Sequence, residues 1–332
     1  MSFDFAVIGA GAWGTAIANM LSRLGNEKVV IWAKEKEVVD QINTENKNDR
    51  FLRGINLEKN IFATECLSEA IASYIFYVTP AQSFRNIINQ QKGYINEGNQ
   101  IIICSKGIEI SSGNLLSEII HNELPNINYS ILSGPSFAHE VANNMPAALV
   151  LASSSIKNAI DLSNKISSKN FRLYPSDDLV GVQLGGAIKN VYAISSGIVK
   201  GLNYGENAGA AILTRAISEM VRISVSLGGK KESIFGLSGV GDILLTCNSE
   251  MSRNFTLGKA IGQGNNLKEI INNKNTIAEG YFTTKAIYNL VKSKNVEAPI
   301  LNSIYDILYK NANPKDEAKS LLKRPLKNKE FY

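Results

Sequence analysis

Residues 3–14 read Phe3-Asp4-Phe5-Ala6-Val7-Ile8-Gly9-Ala10-Gly11-Ala12-Trp13-Gly14. The first six form a short apolar run of the kind that fills a buried strand, and the next six a G-x-G-x-x-G turn. Ala16, Ile17, Met20, Leu21 and Leu24 then recur at helical spacing until Gly25 interrupts them, and a second apolar run, Val29-Val30-Ile31-Trp32, follows at once. Strand, glycine turn, helix and strand together make the unit on which a dinucleotide's pyrophosphate rests. The helix N-terminus offers unpaired N–H groups, and glycine lets the backbone come close to the phosphates. A glycine-rich turn by itself is common. Here the whole unit surrounds it, so Gly9, Gly11 and Gly14 are expected to bind a dinucleotide cofactor.

Working outward, further apolar runs that read as strands fall at 75–78, 100–104, 129–132, 147–151 and 171–174. Helical spacing occupies most of the gaps, at 83–91, 113–122 and 156–169. Alternating strands and helices predict a mostly parallel sheet with helices on both faces. Beyond Ser176 the strand signal stops. Apolar residues continue at helical spacing through 179–199, 208–227, 254–261, 267–272, 283–292 and 299–309. The predicted fold is therefore α/β: an N-terminal Rossmann-like doubly wound sheet over 1–176, followed by an all-helical C-terminal domain over 177–332. No internal repeat is visible, and the polar tail after Arg324 is expected to fray.

Bulk properties narrow the class. A chain of 332 residues has room for two ordinary domains, and 44% hydrophobic with 20% charged residues is a globular composition. The formal charge of +5 comes from scattered lysines, with no basic run or helix, so nucleic acid is not expected as a partner and anionic small molecules are. Cys66, Cys104 and Cys247 are odd in number and far apart, which supports neither disulfides nor a zinc site. No apolar run approaches bilayer length, so no transmembrane segment is expected. The N-terminus already reads as a strand rather than a signal peptide. A cytoplasmic protein is the expectation.

In open α/β sheets the ligand lies beyond the carboxyl ends of the strands. After Trp32, where an acidic residue would suit the ribose hydroxyls of NAD, stand Ala33 and Lys34. A cation there suits a 2′-phosphate, although Glu35 follows and a solvated helix start explains Lys34 equally simply. After Cys104 comes Ser105-Lys106-Gly107, with a lysine at the ligand edge or an ordinary surface lysine. After Leu132 comes Ser133-Gly134-Pro135-Ser136-Phe137-Ala138, a turn into a helix whose N–H groups are placed to receive cofactor or substrate oxygens. In the helical half, Lys189 is flanked by small and apolar residues, either snorkelling to water or held for chemistry. Asp242 and Arg253 add a carboxylate and a guanidinium suited to an oxyanion. His121 and His139, the only histidines, have no neighbours suited to a metal or a serine triad. Without a histidine, Lys189 is the leading group for moving the hydroxyl proton of a dehydrogenase.

Taken in order, these motifs resemble those of the NAD(P)-dependent glycerol-3-phosphate dehydrogenase family in its bacterial form, over nearly the whole chain. The resemblance rests on Val7 to Ala16, Ser105-Lys106-Gly107, Ser133 to Ala138, Gly181 to Val191, Gly205-Glu206-Asn207-Ala208, Gly239-Val240-Gly241-Asp242, Ser252-Arg253-Asn254 and Glu279-Gly280-Tyr281. It implies reversible reduction of dihydroxyacetone phosphate to sn-glycerol 3-phosphate, the backbone precursor of phospholipids. It implies Lys189 as proton donor and acceptor, with Lys106, Gly134, Ser136, Asp242, Ser252, Arg253 and Asn254 as further substrate contacts. For the cofactor it implies Ala12 and Trp13 with the glycine turn, then Lys34, Lys106, Gly134, Ala138, Arg253, Ile277 and Glu279. NADPH or NADH is implied, with NADPH preferred through Lys34. No metal is required, and a homodimer is common in the family. Two alternatives remain: a 3-hydroxy acid or 6-phosphogluconate type of dehydrogenase, which places an amide or acid where Ala193 stands, and a non-enzymatic NAD(P)-binding redox sensor.

Overall fold

Among the described residues, eight strands form one sheet: β1 Phe5–Ile8, β2 Val29–Trp32, β3 Ile61–Thr64, β4 Tyr74–Tyr77, β5 Gln100–Ile103, β6 Asn128–Ser133, β7 Ala147–Ser153 and β8 Phe171–Ser176. The computed structural model describes residues 3–25, 27–272 and 278–325. The spatial order is β3-β2-β1-β4-β5-β6-β7-β8, parallel throughout except where β6 meets β7. Chain direction across the sheet reverses between β1 and β4, which is the crevice where a doubly wound sheet takes its ligand.

Six helices accompany the sheet: α1 Ala12–Leu21, α2 Lys36–Glu45, α3 Ala81–Gln91, α4 Leu116–Glu123, α5 Ala138–Ala142 and α6 Ile156–Ile166. The apolar run of β1 is continuous because both of its faces are covered. Phe5 and Val7 join one buried cluster with Ile17 and Leu21 of α1, while Ala6 and Ile8 join the other with Phe84, Ile88 and Ile119 of α3 and α4. Each wholly buried Phe, Val, Leu or Ile among them contributes about 1.5–3 kcal/mol. Strand β3 and helix α2 were not anticipated. β3 is a four-residue edge strand in which only Ile61 and Ala63 are buried, and α2 shows the core only Val38, Val39 and Ile42 from a charged sequence.

The remaining elements are helical: α7 Leu179–Gly201, α8 Gly205–Ser226, α9 Lys231–Phe235, α10 Asp242–Cys247, α11 Arg253–Gly262, α12 Leu267–Asn272, α13 Glu279–Ser293, α14 Pro299–Lys310 and α15 Pro314–Leu322. A single π-type turn, Leu237–Gly241, joins α9 to α10. Asp178 starts α7 by accepting the Gly181 N–H at 2.8 Å, and Asn313 caps α15 with Pro314 in its first turn. The segment α9 to α10 and the helix α15 carry too few periodic residues to be read from sequence. The tail expected to fray lies outside the described residues from 326 onward.

The chain divides into two compact units. The first takes the residues up to Lys106 together with Asn114–Val182, and the second takes Gly107–Gly113 and everything from Gln183. The division thus falls inside the first turns of α7, and a short excursion after β5 belongs with the helices. No helix among the described residues is long and apolar enough to cross a membrane.

Candidate active site

In the sheet unit, pairing aligns the carboxyl ends of β1, β4 and β5, with Ile8 opposite Tyr77 and Tyr77 opposite Ile103, while β6 meets Ile103 at Ile131 and runs on to Ser133. The glycine turn follows Ile8. Gly9 adopts φ +117°, which a side chain would resist, and a Cβ on Gly14 would lie 1.8 Å from the Gly9 carbonyl oxygen. Nothing stands within 4 Å of the place a Gly11 Cβ would take, so the turn is open where a pyrophosphate approaches. Gly11 is the N-cap of α1 and makes no side-chain cap, so the N–H groups of Ala12 and Trp13 in the first turn follow an open cap. The indole Nε1 of Trp13 is buried without a protein partner, as is the Thr79 hydroxyl just past β4. A turn open at Gly11 and orphaned donors beside it fit a dinucleotide. The turn is held from behind by a residue that the sequence reading overlooked: Asn48, wholly buried, donates to the Ala10 carbonyl at 2.9 Å and to the Thr15 hydroxyl at 2.7 Å.

Farther along the same edge, Lys106 and Ser136 both donate to the Gly134 carbonyl, at 3.0 and 3.1 Å. Gly134 has φ +151°, and a Cβ there would sit 2.9 Å from the Leu149 Cα on β7. Three expected site residues are thereby brought together on one carbonyl. Ala138 opens the short helix α5 that follows them. Lys34 is exposed between β2 and α2, immediately before Glu35, the N-cap residue of that helix.

In the helical unit, Lys189 lies midway along α7 with its side chain 11% exposed. Its Nζ donates to Asp242 Oδ1 at 2.9 Å and to Thr246 Oγ1 at 2.7 Å, and Asp242 is 1% exposed. Asp242 and Thr246 are one turn apart on α10, so one helix face supplies both partners. Thr246 was missed because a lone threonine carries no motif; its i+4 spacing from Asp242 was the available signal. Burial pushes the neighbouring Cys247 thiol up to about 12, with Lys189 opposing, so it is a thiol and no nucleophile at neutral pH.

Three consecutive expected residues take different positions. Ser252 caps α11, its hydroxyl accepting the Phe255 N–H at 3.2 Å; Arg253, the first helical residue, is exposed; Asn254 is buried. Asn254 donates to the Asn190 side chain at 2.9 Å and accepts the Gly280 N–H at 2.9 Å. It thus ties α11 to the residue after Lys189 and to the start of α13, where Glu279 lies half-buried. Asn190, like Asn48 and Thr246, is not singled out by the sequence as a site residue. Ile277 lies outside the described residues.

A doubly wound sheet with an open glycine turn at its switch point, joined in one chain to a helical unit that buries a lysine–carboxylate pair, defines a dinucleotide-dependent oxidoreductase class. Comparison with known proteins narrows it. Residues 4–159 match the NAD-dependent glycerol-3-phosphate dehydrogenase N-terminus, and residues 178–319 match the C-terminus of the same family. A glycerol-3-phosphate dehydrogenase [NAD(P)+] from Parvibaculum lavamentivorans is 43% identical over 97% of each chain. The crystal structure of the glycerol-3-phosphate dehydrogenase from Coxiella burnetii superposes with a TM-score of 0.93 at 35% identity, covering 97% of this chain and 99% of that one. The yeast enzyme of the same name gives a TM-score of 0.82 at 27% identity, covering 96% and 99%. The chain belongs to the NAD-dependent glycerol-3-phosphate dehydrogenase family.

Proposed function

We propose that this protein interconverts dihydroxyacetone phosphate and sn-glycerol 3-phosphate with NAD(P)H, and that Lys189 moves the proton. The observation that carries this reading is the buried Lys189–Asp242–Thr246 cluster, with its 2.9 and 2.7 Å contacts. A carbonyl accepting hydride becomes an alkoxide, and a positioned acid must supply its proton. The bound nicotinamide supplies the hydride. An ammonium is tetrahedral, so turning two of its N–H groups toward Asp242 and Thr246 sets the direction of the third. Lys189 in that orientation stabilises the developing alkoxide and then protonates it; in reverse it takes the hydroxyl proton.

Arg253 presents paired donors to the substrate phosphate, and Lys106 adds a second cation. Gly134, Ser136, Asp242, Ser252 and Asn254 complete the substrate contacts, the buried ones acting through the position of their neighbours. The glycine turn with Ala12 and Trp13 holds the pyrophosphate, aided by Ala138 and Glu279. Lys34 favours the 2′-phosphate of NADPH over NADH. The family resemblance supports a homodimer. Three free thiols, two of them buried, fit the reducing cytoplasm.

Oxidation of NADPH and of NADH, followed with dihydroxyacetone phosphate and with a panel of 3-hydroxy and 6-phosphosugar acids, tests the assignment. We expect turnover with dihydroxyacetone phosphate alone, at a higher kcat/KM with NADPH. Turnover confined to an acid substrate would overturn it.

A further inference from the structure

Glu219 on α8 is wholly buried, far from any motif, and holds three donors from two other helices. Tyr192 on α7 donates its phenol at 3.0 Å; the Ile300 and Leu301 N–H groups in the first turn of α14 donate at 3.0 and 2.8 Å. The side chain therefore caps α14 from the neighbouring helix and clasps α7 one turn beyond Lys189. The connection then closes on itself. Tyr309 of α14 donates to the Tyr281 carbonyl on α13 at 2.6 Å, the adjacent Gly280 N–H reaches Asn254 on α11, and Asn254 reaches Asn190 on α7. Asn190 and Tyr192, the two ends of this circuit on α7, follow Lys189 by one and three residues and so fix the turn that begins at it.

Resting on the reading of Lys189 as the acid, we propose that Glu219 is a positioning residue for the reaction: its carboxylate closes the hydrogen-bonded circuit that holds the Lys189 turn of α7 against the Arg253 helix. Both carboxylate oxygens are needed, because Oε1 serves Tyr192 and Leu301 while Oε2 serves Ile300. Protonating one oxygen adds a donor where donors already point and removes the charge, so the N–H groups of α14 lose a charge-assisted acceptor.

Burial pushes the Glu219 carboxyl up to about 7, against the three hydrogen bonds and Arg222, which favour the charged form. The charged and titratable groups facing it are Tyr192 from α7 and Arg222, 3.9 Å away on its own helix; α14 offers only its N–H groups. Because the folded pKa exceeds that of an unfolded glutamate, the unfolded chain ionises first. Stability attributable to Glu219 is complete below the unfolded value near 4.5 and is lost as pH rises toward 7. The charge that organises the circuit thus costs stability, the opposite sign from a residue kept for stability.

The test compares wild type, Glu219→Gln and Tyr192→Phe between pH 5.5 and 8.5, measuring kcat and KM for dihydroxyacetone phosphate and, without substrate, Tm. Glutamine copies the protonated shape at every pH. We expect kcat in Glu219→Gln about 10-fold below wild type at pH 8, KM within 2-fold, and loss of the wild-type inflection in kcat near pH 7. Its Tm relative to wild type should rise with pH. Tyr192→Phe, which keeps the α14 cap, should lower kcat less and keep the inflection. Unchanged kcat and an unchanged pH profile in folded Glu219→Gln would overturn the proposal. If Glu219→Gln does not fold, an unaltered kcat in Tyr192→Phe would overturn it. Wild type inactive on dihydroxyacetone phosphate would instead refute the functional reading, while the Tm comparison would still report on Glu219.

Discussion

Lys189 and Arg253 divide the polar work of the helical unit between a buried and an exposed cation. A lysine in an apolar helix must be paired, and Asp242 at 2.9 Å pairs it. That Lys189 is unusual was legible from its flanking residues, since few charges sit in such a run. What it pairs with was only partly legible: Asp242 stood in a recognisable motif and Thr246 was marked only by its i+4 spacing from Asp242, whereas Asn190 and Asn48 act through contacts between elements far apart in sequence. Arg253, at the exposed start of α11, is the residue we propose reads the phosphate, through a paired fork of donors that lysine lacks. A hydrogen bond to a charged group contributes about 1.5–3 kcal/mol. Arg253→Lys should accordingly lower kcat/KM for dihydroxyacetone phosphate by roughly 10- to 100-fold, and lower any kcat/KM for unphosphorylated dihydroxyacetone far less. Equal losses for the two substrates would assign Arg253 to another role.

The distance between those two cations is set by helices that touch backbone to backbone. Gly197 and Gly201 of α7 meet Gly258 and Gly262 of α11: a Cβ on Gly258 would lie 2.0 Å from the Ile194 carbonyl oxygen, and one on Gly197 2.1 Å from that of Phe255. Carbonyl oxygens in helices cannot yield as flexible side chains do. Gly258→Ala should therefore cost at least about 1–3 kcal/mol, seen as a lower Tm, with a fall in kcat as α11 is pushed from α7. An alanine variant as stable and active as wild type would show that the helices are not held by this contact. Elements with long periodic patterns, such as α7 and α14, were legible almost to their ends. Those that hide few residues were not: β3 buries two side chains, and α9 with the π-type turn is shaped by the contact of Gly239 with Ile234.

At the scale of the molecule, the change from alternating strands and helices to helices alone was plain along the chain and marks two kinds of unit with two kinds of task. The sheet unit offers an open glycine turn, and the helical unit a buried lysine paired with a carboxylate, which we propose is the acid. The transfer of Gly107–Gly113 to the helical unit was not legible, because seven residues after a strand carry no signal of where they pack. The division of labour makes the central claim separable: removing the acid should abolish chemistry and spare cofactor binding. The most direct measurement is turnover of dihydroxyacetone phosphate by Lys189→Ala, alongside its affinity for NADPH from fluorescence titration and a check of its fold by circular dichroism. General acid catalysis contributes about 10²–10⁴-fold, so kcat should fall by at least that order while the NADPH Kd stays within about 2-fold. A folded Lys189→Ala protein that turns over at close to the wild-type rate would contradict the account.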